Sequence, residues 1–472
     1  MSLKRLNKAE FDILLARKFV YPSFGIYGGF KGLFDYGPYG APLMNNIIYW
    51  FRKFFIVEEN MFELDTVSLT PYAVLKASGH VDRFSDWMTY ELVDDKSTGV
   101  VFRVDHLIKQ VFQERLESKE FKEKHALYTS LLNQLDNFTN KEFDDIMTTH
   151  DIKSPSGHQL SHCIAFNLMF GTCLGVDTDI IQKSDKLITP VNAYMRPETA
   201  QSQFMHFNKL SELKDLPVSC TIGKSFRNEI SPRSGILRVR EFLMGEIEHF
   251  VDPSDKSHPK FNQIKHLEIR LLDAPTQQKG LDDLRTMTIE EAIANKIVKS
   301  QMVGYYLGRI HLFLQFMGYP KDGFRFRQHM SNEMAHYAND CWDTEVLTSY
   351  GWVEAIGVAD RGCYDLTRHA EATKQTLVYR KTLETPIKRE YLHVELKMNV
   401  IGKFFKKQAK EVQALVEKLP QTKVLEMQQE LQKNGKYVLE QGIVVDNTMI
   451  AISPKTETIH VEEIVPHSKL LH

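Results

Sequence analysis

The sequence predicts an α+β protein, an antiparallel sheet flanked by helices with helical insertions between its parts. Three observations lead there. Pro217 to Val251 reads as two alternating strands joined by a tight turn. Pro42 to Phe55 sets Leu43, Ile47, Trp50, Phe51 and Phe54 at helical spacing, ahead of a strand-like Phe62-Glu63-Leu64-Asp65. The stretch 105–161 turns charged and helical, with Lys119, Lys122 and Lys124 among Glu114, Glu117, Glu120 and Glu123.

The 472 residues amount to roughly three domains at about 150 residues each. With 43% hydrophobic and 25% charged residues the chain is globular, and disorder of the whole is excluded. Lys+Arg 59 against Asp+Glu 61 leaves a net charge of -2, so a nucleic-acid partner must be met by local basic patches. The five cysteines, Cys163, Cys173, Cys220, Cys341 and Cys363, are widely spaced without a Cys-x-x-Cys pair. A disulfide framework or a Cys-type zinc site is therefore not expected, and a reducing compartment is. Lys4, Arg5 and Lys8 precede Glu10 and Asp12 with no apolar segment behind them, unlike a signal or transit peptide. The apolar run near Trp50 is broken by Arg52 and Lys53, short of the ~20 residues a bilayer requires. The expectation is a cytoplasmic protein without membrane contact, a mitochondrial copy being left open.

In chain order, 1–104 is core. It contains a turn-rich loop from Tyr27-Gly28-Gly29 to Gly40, the Pro42–Phe55 helix and a strand ending near Pro71. A first insertion, 105–161, has a solvated helical face. Core returns over 162–251, a polar insertion occupies 252–322, and core resumes over 323–372. A third insertion, 373–455, carries Lys403-Phe404-Phe405-Lys406-Lys407 and an amphipathic pattern through Leu415, Val416 and Leu419. Residues 456–472 complete the core with the strand-like Ile459 to Pro466.

Chemistry concentrates between Pro217 and Val251. Side chains alternate along a strand, so Val218, Cys220, Ile222 and Phe226 share one face, and Ser219, Thr221, Gly223, Ser225, Arg227 and Glu229 the other. Small residues ending in an arginine leave room for a ligand with a phosphate or carboxylate at its end. After Ser231-Pro232-Arg233-Ser234-Gly235 the chain returns with Leu237, Val239, Leu243, Ile247 and Val251 on one side and Arg238, Arg240, Glu246 and Glu248 on the other. This suits a long ligand, anionic near one end and cationic at the other. A sheet face laced with ordinary Arg–Glu pairs is the alternative. On Trp352-Val353-Glu354-Ala355-Ile356, Glu354 shares a face with Trp352, Ile356 and Val358, where a carboxylate is costly unless paired or bound to a cation. His329 and His336, flanking Glu333, are about 10 Å apart along a helix and cannot share one zinc.

Arg227-Asn228-Glu229-Ile230-Ser231-Pro232-Arg233, followed by Leu237-Arg238-Val239-Arg240-Glu241-Phe242, resembles motif 2 of class II aminoacyl-tRNA synthetases, and within them the homodimeric glycyl-tRNA synthetases of eukaryotic and archaeal type. Asp35-Tyr36-Gly37-Pro38, Leu69-Thr70-Pro71, Lys76-Ala77-Ser78-Gly79-His80-Val81-Asp82, Arg196-Pro197-Glu198-Thr199-Ala200-Gln201 and Gly357-Val358-Ala359-Asp360-Arg361 extend the resemblance from about residue 10 to Pro466. It implies a class II sheet, a dimer built on the Pro42–Phe55 helix, and ATP-dependent formation of glycyl-adenylate before transfer to tRNA(Gly). By position, Arg227 is similar to the catalytic arginine on the ATP α-phosphate and the substrate carboxylate. Asn228, Glu229, Arg238 and Val239 are similar to ATP-binding positions, as are Glu354 and Ala355, with Glu354 also implied for Mg2+ and Ala355 standing where the family has cysteine. Glu198 and Glu246 match the glycine-binding carboxylates, although an acid after Pro197 is equally at home in the first turn of a helix.

Two departures stand out. Ser202 stands where the family usually has glycine, and after Pro466 the sequence reads His467-Ser468-Lys469-Leu470-Leu471-His472 in place of motif 3 and an anticodon-binding domain. Two readings follow: a C-terminally shortened glycine–tRNA ligase, homodimeric or paired with a full-length copy, or a non-catalytic relative serving as a dimeric nucleic-acid-binding or regulatory module.

Overall fold

The computed structural model describes residue 9, residues 12–13 and residues 15–471 except 133, 136–137, 176–191, 233–234, 256, 280, 332–333, 335–337, 350 and 440–441. Arg233, Glu333 and His336 lie outside the described residues. Two compact units divide the chain: one comprises Met1–Tyr379 with Val465–His472, the other Arg380–Ile464. Among the described residues no helix is long and apolar enough to cross a membrane.

The first unit is built on α1 (Gly40–Phe51), β1 (Phe62–Glu63), α2 (Ala200–Met205), β2 (Val218–Phe226), β3 (Glu241–Val251), β4 (Glu268–Leu272), β5 (Arg285–Thr288), α3 (Gln301–Phe316), β6 (Phe324–Gln328), β7 (Asp340–Thr348), β8 (Gly351–Gly362), α4 (Tyr364–Thr373) and β9 (His467–Leu471). Nine strands form one sheet in the order β5-β4-β6-β7-β8-β9-β3-β2-β1. Its central pairs are antiparallel; β1 joins β2, and β4 joins β6, in parallel.

One face of the sheet forms the main core. Cys220, Ile247, Leu471, Val358, Trp342 and Phe326 are buried there beneath α3, which buries Tyr305, Tyr306, Leu307 and Ile310 as well. The helix can sink this deeply because Gly308 leaves its neighbours room: an added Cβ would lie 2.9 Å from Ile289 and 3.0 Å from Ile264. Ser300 caps the start of α3 by accepting a bond from the Val303 N–H at 3.2 Å. The predicted Pro42–Phe55 helix is seen as α1, continued by a π turn over Arg52–Val57. Trp50 and Phe51 pack on Phe316 and Phe313 at ring separations of 4.7 and 6.1 Å, while Leu43, Ile47 and Tyr49 on the same helix stay exposed.

Three expected boundaries differ. Residues 252–322 are not an insertion: β4 and β5 extend the sheet, and α3 is its principal covering helix. Their polar loops hid an apolar helix whose partners lie far away in sequence. The first insertion begins earlier than 105, because strands Ser85–Val93 and Lys96–Arg103 form a hairpin whose Trp87 and Phe102 pack with Leu107, Ile108 and Phe112 of the following helix. Its turn residues Asp94 and Asp95 have φ of 49° and 59°, as a two-residue hairpin turn requires.

The second unit spans Arg380–Ile464, where 373–455 was expected. Ile459 to Ile464, read as core, instead belong to a long strand, Ile450–Ile464, paired with Tyr379–Leu396. The strand of the main sheet is β9, beyond Pro466. Helices Met398–Phe405, Ala409–Glu417 and Gln421–Asn434 bury Ile401, Val412, Val416, Val424, Met427 and Leu431 within this unit. Phe404 of the basic Lys403–Lys407 run is 72% exposed.

Candidate active site

The other face of the sheet carries the polar residues. Its centre is the turn Pro197-Glu198-Thr199, leading into α2. Arg227, just past the end of β2, donates from Nε to the Pro197 carbonyl at 3.3 Å, and its guanidinium lies 5.4 Å from the rings of both Phe84 and Phe242. On the other side of the turn, Glu246 of β3 accepts bonds from the Thr199 N–H and hydroxyl, each at 2.5 Å. Glu198 itself lies 3.4 Å from His80 Nε2 and accepts from Gln201 Nε2 at 2.8 Å. Three residues predicted far apart in the sequence thus meet around one tripeptide.

Beneath them runs a buried polar network. Gln201 Nε2 also donates to Asp365 Oδ1 at 3.0 Å, and its carbonyl is 2.8 Å from His369 Nε2. Arg361 pairs with Asp365 at 2.9 Å and lies 3.8 Å from Glu248, which also accepts from Ser468. Glu246, Glu248, Arg361 and Asp365 are each at most 3% exposed. Burial, reinforced by the charge of Glu198, pushes Glu246 up to about 7. Burial also raises Glu248, Arg361 opposing it. For Glu198, burial works toward a higher pKa, but His80 and Arg361 outweigh it and hold the group below the ordinary glutamate range.

The small-residue face of β2 is filled more than the sequence suggested. At Gly223 an added Cβ would lie 2.1 Å from an Arg196 guanidinium nitrogen. That guanidinium is held by the carbonyls of Lys224 and Thr66 at 2.8 and 2.9 Å. Ser219 donates to Gln203 at 2.7 Å. Much of this face therefore accommodates α2 and Arg196, and open space remains toward Arg227. Ser202 is occupied locally: its hydroxyl donates to the Thr199 carbonyl at 2.9 Å and lies 3.0 Å from the Thr66 hydroxyl.

Glu354 requires a correction. Glu345 pairs with Glu354 but Thr344 pairs with Ile356, so Ala355 is the extra residue of a β-bulge. The bulge reverses the alternation, leaving Glu354 and Trp352 on the face of Glu345 and sending Ile356 and Val358 into the core. Glu354 and Ala355 are exposed, so no buried carboxylate stands on an apolar face. Both nevertheless line the same cavity as Arg227, about 500 Å³, together with Phe242, Met244 and Leu471.

Arg238 and Val239 lie before β3, not on it, because that strand begins at Glu241. The Arg238 guanidinium is 3.4 Å from His106 Nε2. The Asn228 N–H donates to the Leu168 carbonyl at 2.6 Å, and the Glu229 carbonyl accepts from Arg240 at 2.9 Å. His80, Arg361 and Asp365 were missed as site residues, while Glu248 was read only as one of the acids on the ligand-facing side of its strand. His80 and Arg361 fall inside blocks that carry the family resemblance, but no spacing rule brings residues 80, 248, 361 and 365 together; only the sheet and α4 do.

A single layer of antiparallel strands thus gathers a guanidinium and buried carboxylates around one turn. The chain is 44% identical over 471 residues to glycine–tRNA ligase 2 of Saccharomyces cerevisiae, covering 98% of this chain and 74% of that one. It is 36% identical over 476 residues to the glycine–tRNA ligase of Methanocaldococcus jannaschii, covering 98% and 77%, and 44% identical over 475 residues to that of Caenorhabditis elegans, covering 98% and 61%. The chain belongs to the glycine–tRNA ligase family. A solved prolyl-tRNA synthetase of Giardia lamblia in complex with prolyl-adenylate is 12% identical, with a TM-score of 0.40 over 79% of this chain and 47% of that one. No protein-family profile matches.

Proposed function

We propose that the chain joins glycine to ATP at the Pro197–Thr199 turn, releasing pyrophosphate, and passes the glycyl group to tRNA(Gly). The observation that carries this reading is an imbalance of buried charge. Glu198, Glu246, Glu248 and Asp365 gather around Arg361 and His80, with Arg196 behind them, so carboxylates outnumber cations. A site built this way is short of positive charge, which the ammonium group of an amino acid supplies.

In this reading Glu198 and Glu246 hold the ammonium, and Arg227 faces the substrate carboxylate and the ATP α-phosphate. The guanidinium would stabilise the charge that builds at phosphorus as the carboxylate attacks. Asn228, Glu229, Arg238 and Val239 bind the nucleotide, and Glu354 and Ala355 border it across the cavity. The donor chemistry at Glu354 suits Mg2+, a hard cation held by one or two carboxylates and the substrate phosphates, and Glu345 is its neighbour in register. Bound there, Mg2+ would neutralise phosphate charge. The exposed Leu43, Ile47 and Tyr49 on α1 support a dimer on this helix. Five free cysteines support a reducing, cytoplasmic setting.

Glycine-dependent exchange of labelled pyrophosphate into ATP tests the reading, with alanine and serine as controls. Exchange with glycine alone is expected. Equal exchange with all three amino acids, or none by a folded chain, would overturn it.

A further inference from the structure

On the same face of the sheet, at the end of β6, a second group of side chains converges that the glycine and ATP sites do not use. Cys341 and Asp343 are two apart on β7 and therefore point the same way. His329, immediately after β6, is held opposite Cys341 by a bond from its N–H to the Cys341 carbonyl at 2.9 Å. The His329 Nε2 lies 2.8 Å from Asp343 Oδ1. One ligand atom from each of His329, Cys341 and Asp343 lies within 4.8 Å of the other two. The other Asp343 oxygen accepts from Arg327 at 2.8 Å.

A His–Asp pair by itself needs no metal. The Cys341 thiol is hydrogen-bonded to the same imidazole, so three donors of different softness converge on one point. Imidazole, thiolate and carboxylate together suit zinc and not magnesium or calcium, which prefer oxygen alone. Ligands of a tetrahedral zinc at about 2.0–2.3 Å are themselves between 3 and 4 Å apart, within about an ångström of the separations found here. Paired strands fix all three residues, and Arg327 orients the carboxylate through the oxygen facing away from His329. Thiolate and carboxylate carry two negative charges, matching the ion. Asp343 is 6% exposed at its side chain and His329 22%, leaving a route for entry.

We propose that His329, Cys341 and Asp343 bind Zn2+ as a site with three protein ligands, its fourth position open to solvent. The partners of His329 lie across a strand pair and not along a helix.

The full chain, freed of metal with a chelator, would be titrated with Zn2+ and separately with Co2+. One equivalent of either is expected to bind, Co2+ giving the intense near-ultraviolet absorption of a thiolate-to-cobalt bond. Cys341→Ser should remove that band and weaken Zn2+ binding by at least about 100-fold, judged against the 10–100-fold cost of losing groups that merely orient ligands. Cys173→Ser should change neither. Arg327→Ala should weaken binding by about 10-fold or more while keeping the band. Absence of the cobalt–thiolate band in the unmodified chain would overturn the proposal, and that result does not depend on any variant folding. Equal Zn2+ affinity in Cys341→Ser and the unmodified chain would do the same.

Discussion

Replacing Glu246 with glutamine separates what that carboxylate does for the fold from what it does for the ligand. Its pKa is raised from the ordinary 4.5 to about 7, first by burial and then by Glu198, against the two bonds from Thr199. A group that holds its proton more tightly when folded contributes stability that is complete below its unfolded pKa and lost as pH rises through its folded one. The window is therefore about pH 4.5 to 7. The interval corresponds to about 3 kcal/mol, an upper bound on what an uncharged isostere recovers at pH 8. Glu246→Gln should resist urea better than the unmodified chain at pH 8, by about 1–3 kcal/mol, and equal it at pH 5. The ligand side carries the opposite sign. Removing one partner of a buried charge pair costs about 3–5 kcal/mol, so kcat/KM for glycine in pyrophosphate exchange should fall roughly 10²- to 10⁴-fold. Urea unfolding by circular dichroism at the two pH values, with exchange measured on the same samples, reads both. Equal destabilisation at pH 5 and pH 8, together with unchanged glycine dependence, would refute the reasoning.

Arg227→Ala should abolish pyrophosphate exchange while leaving the far-ultraviolet circular dichroism unchanged; its loss removes about 0.5–1 kcal/mol for each ring contact with Phe84 and Phe242. Gly223→Ala drives a methyl group to 2.1 Å from the Arg196 guanidinium, and should lower stability by about 1–3 kcal/mol; a midpoint of urea unfolding equal to that of the unmodified chain counts against the packing described. His80→Ala removes the imidazole beside Glu198, so the Glu198 pKa should rise, seen as an upward shift of the acid limb of the exchange pH profile; an unmoved limb would show that His80 does not position Glu198.

What could be read without coordinates follows from the range of the signals. The two long strands around Arg227 were legible because alternation and a Pro-Gly turn are local, and so was α1, whose apolar spacing is regular. The β-bulge at Ala355 was not: one extra residue leaves the composition of Trp352–Ile356 unchanged while reversing which side chains share a face. Residues 252–322 look polar because their loops are, yet α3 within them is apolar nearly all round, a pattern that marks a helix enclosed by core. The end of the second unit was misplaced because Ile459 to Ile464 alternate like any strand, and alternation cannot say which strand is the partner. Among the candidate site residues, Arg227, Glu198 and Glu246 were singled out through motifs, whereas Asp365 is an ordinary acid until Arg361 and α4 enclose it.

The acids around Pro197–Thr199 are costly to bury. A lone buried carboxylate would be expected to find a full set of donors or to be replaced by an apolar side chain of similar size. Glu248 keeps one oxygen without a hydrogen bond and Glu246 is held near neutrality, so without ligand the cluster is a source of instability. Hydrogen bonds from Thr199, Gln201 and Ser468 fix the acids in place without neutralising them. On the function proposed above, an ammonium group entering this cluster would supply the missing positive charge. Binding should accordingly raise the unfolding temperature of the chain, and more at pH 8, where Glu246 is ionised, than at pH 5. Betaine, which keeps the carboxylate and the cationic charge of glycine but has no N–H to donate, should fail to do so. Equal stabilisation by betaine would mean that charge alone is recognised, and the assignment of Glu198 and Glu246 as hydrogen-bonding partners of the ammonium would be wrong.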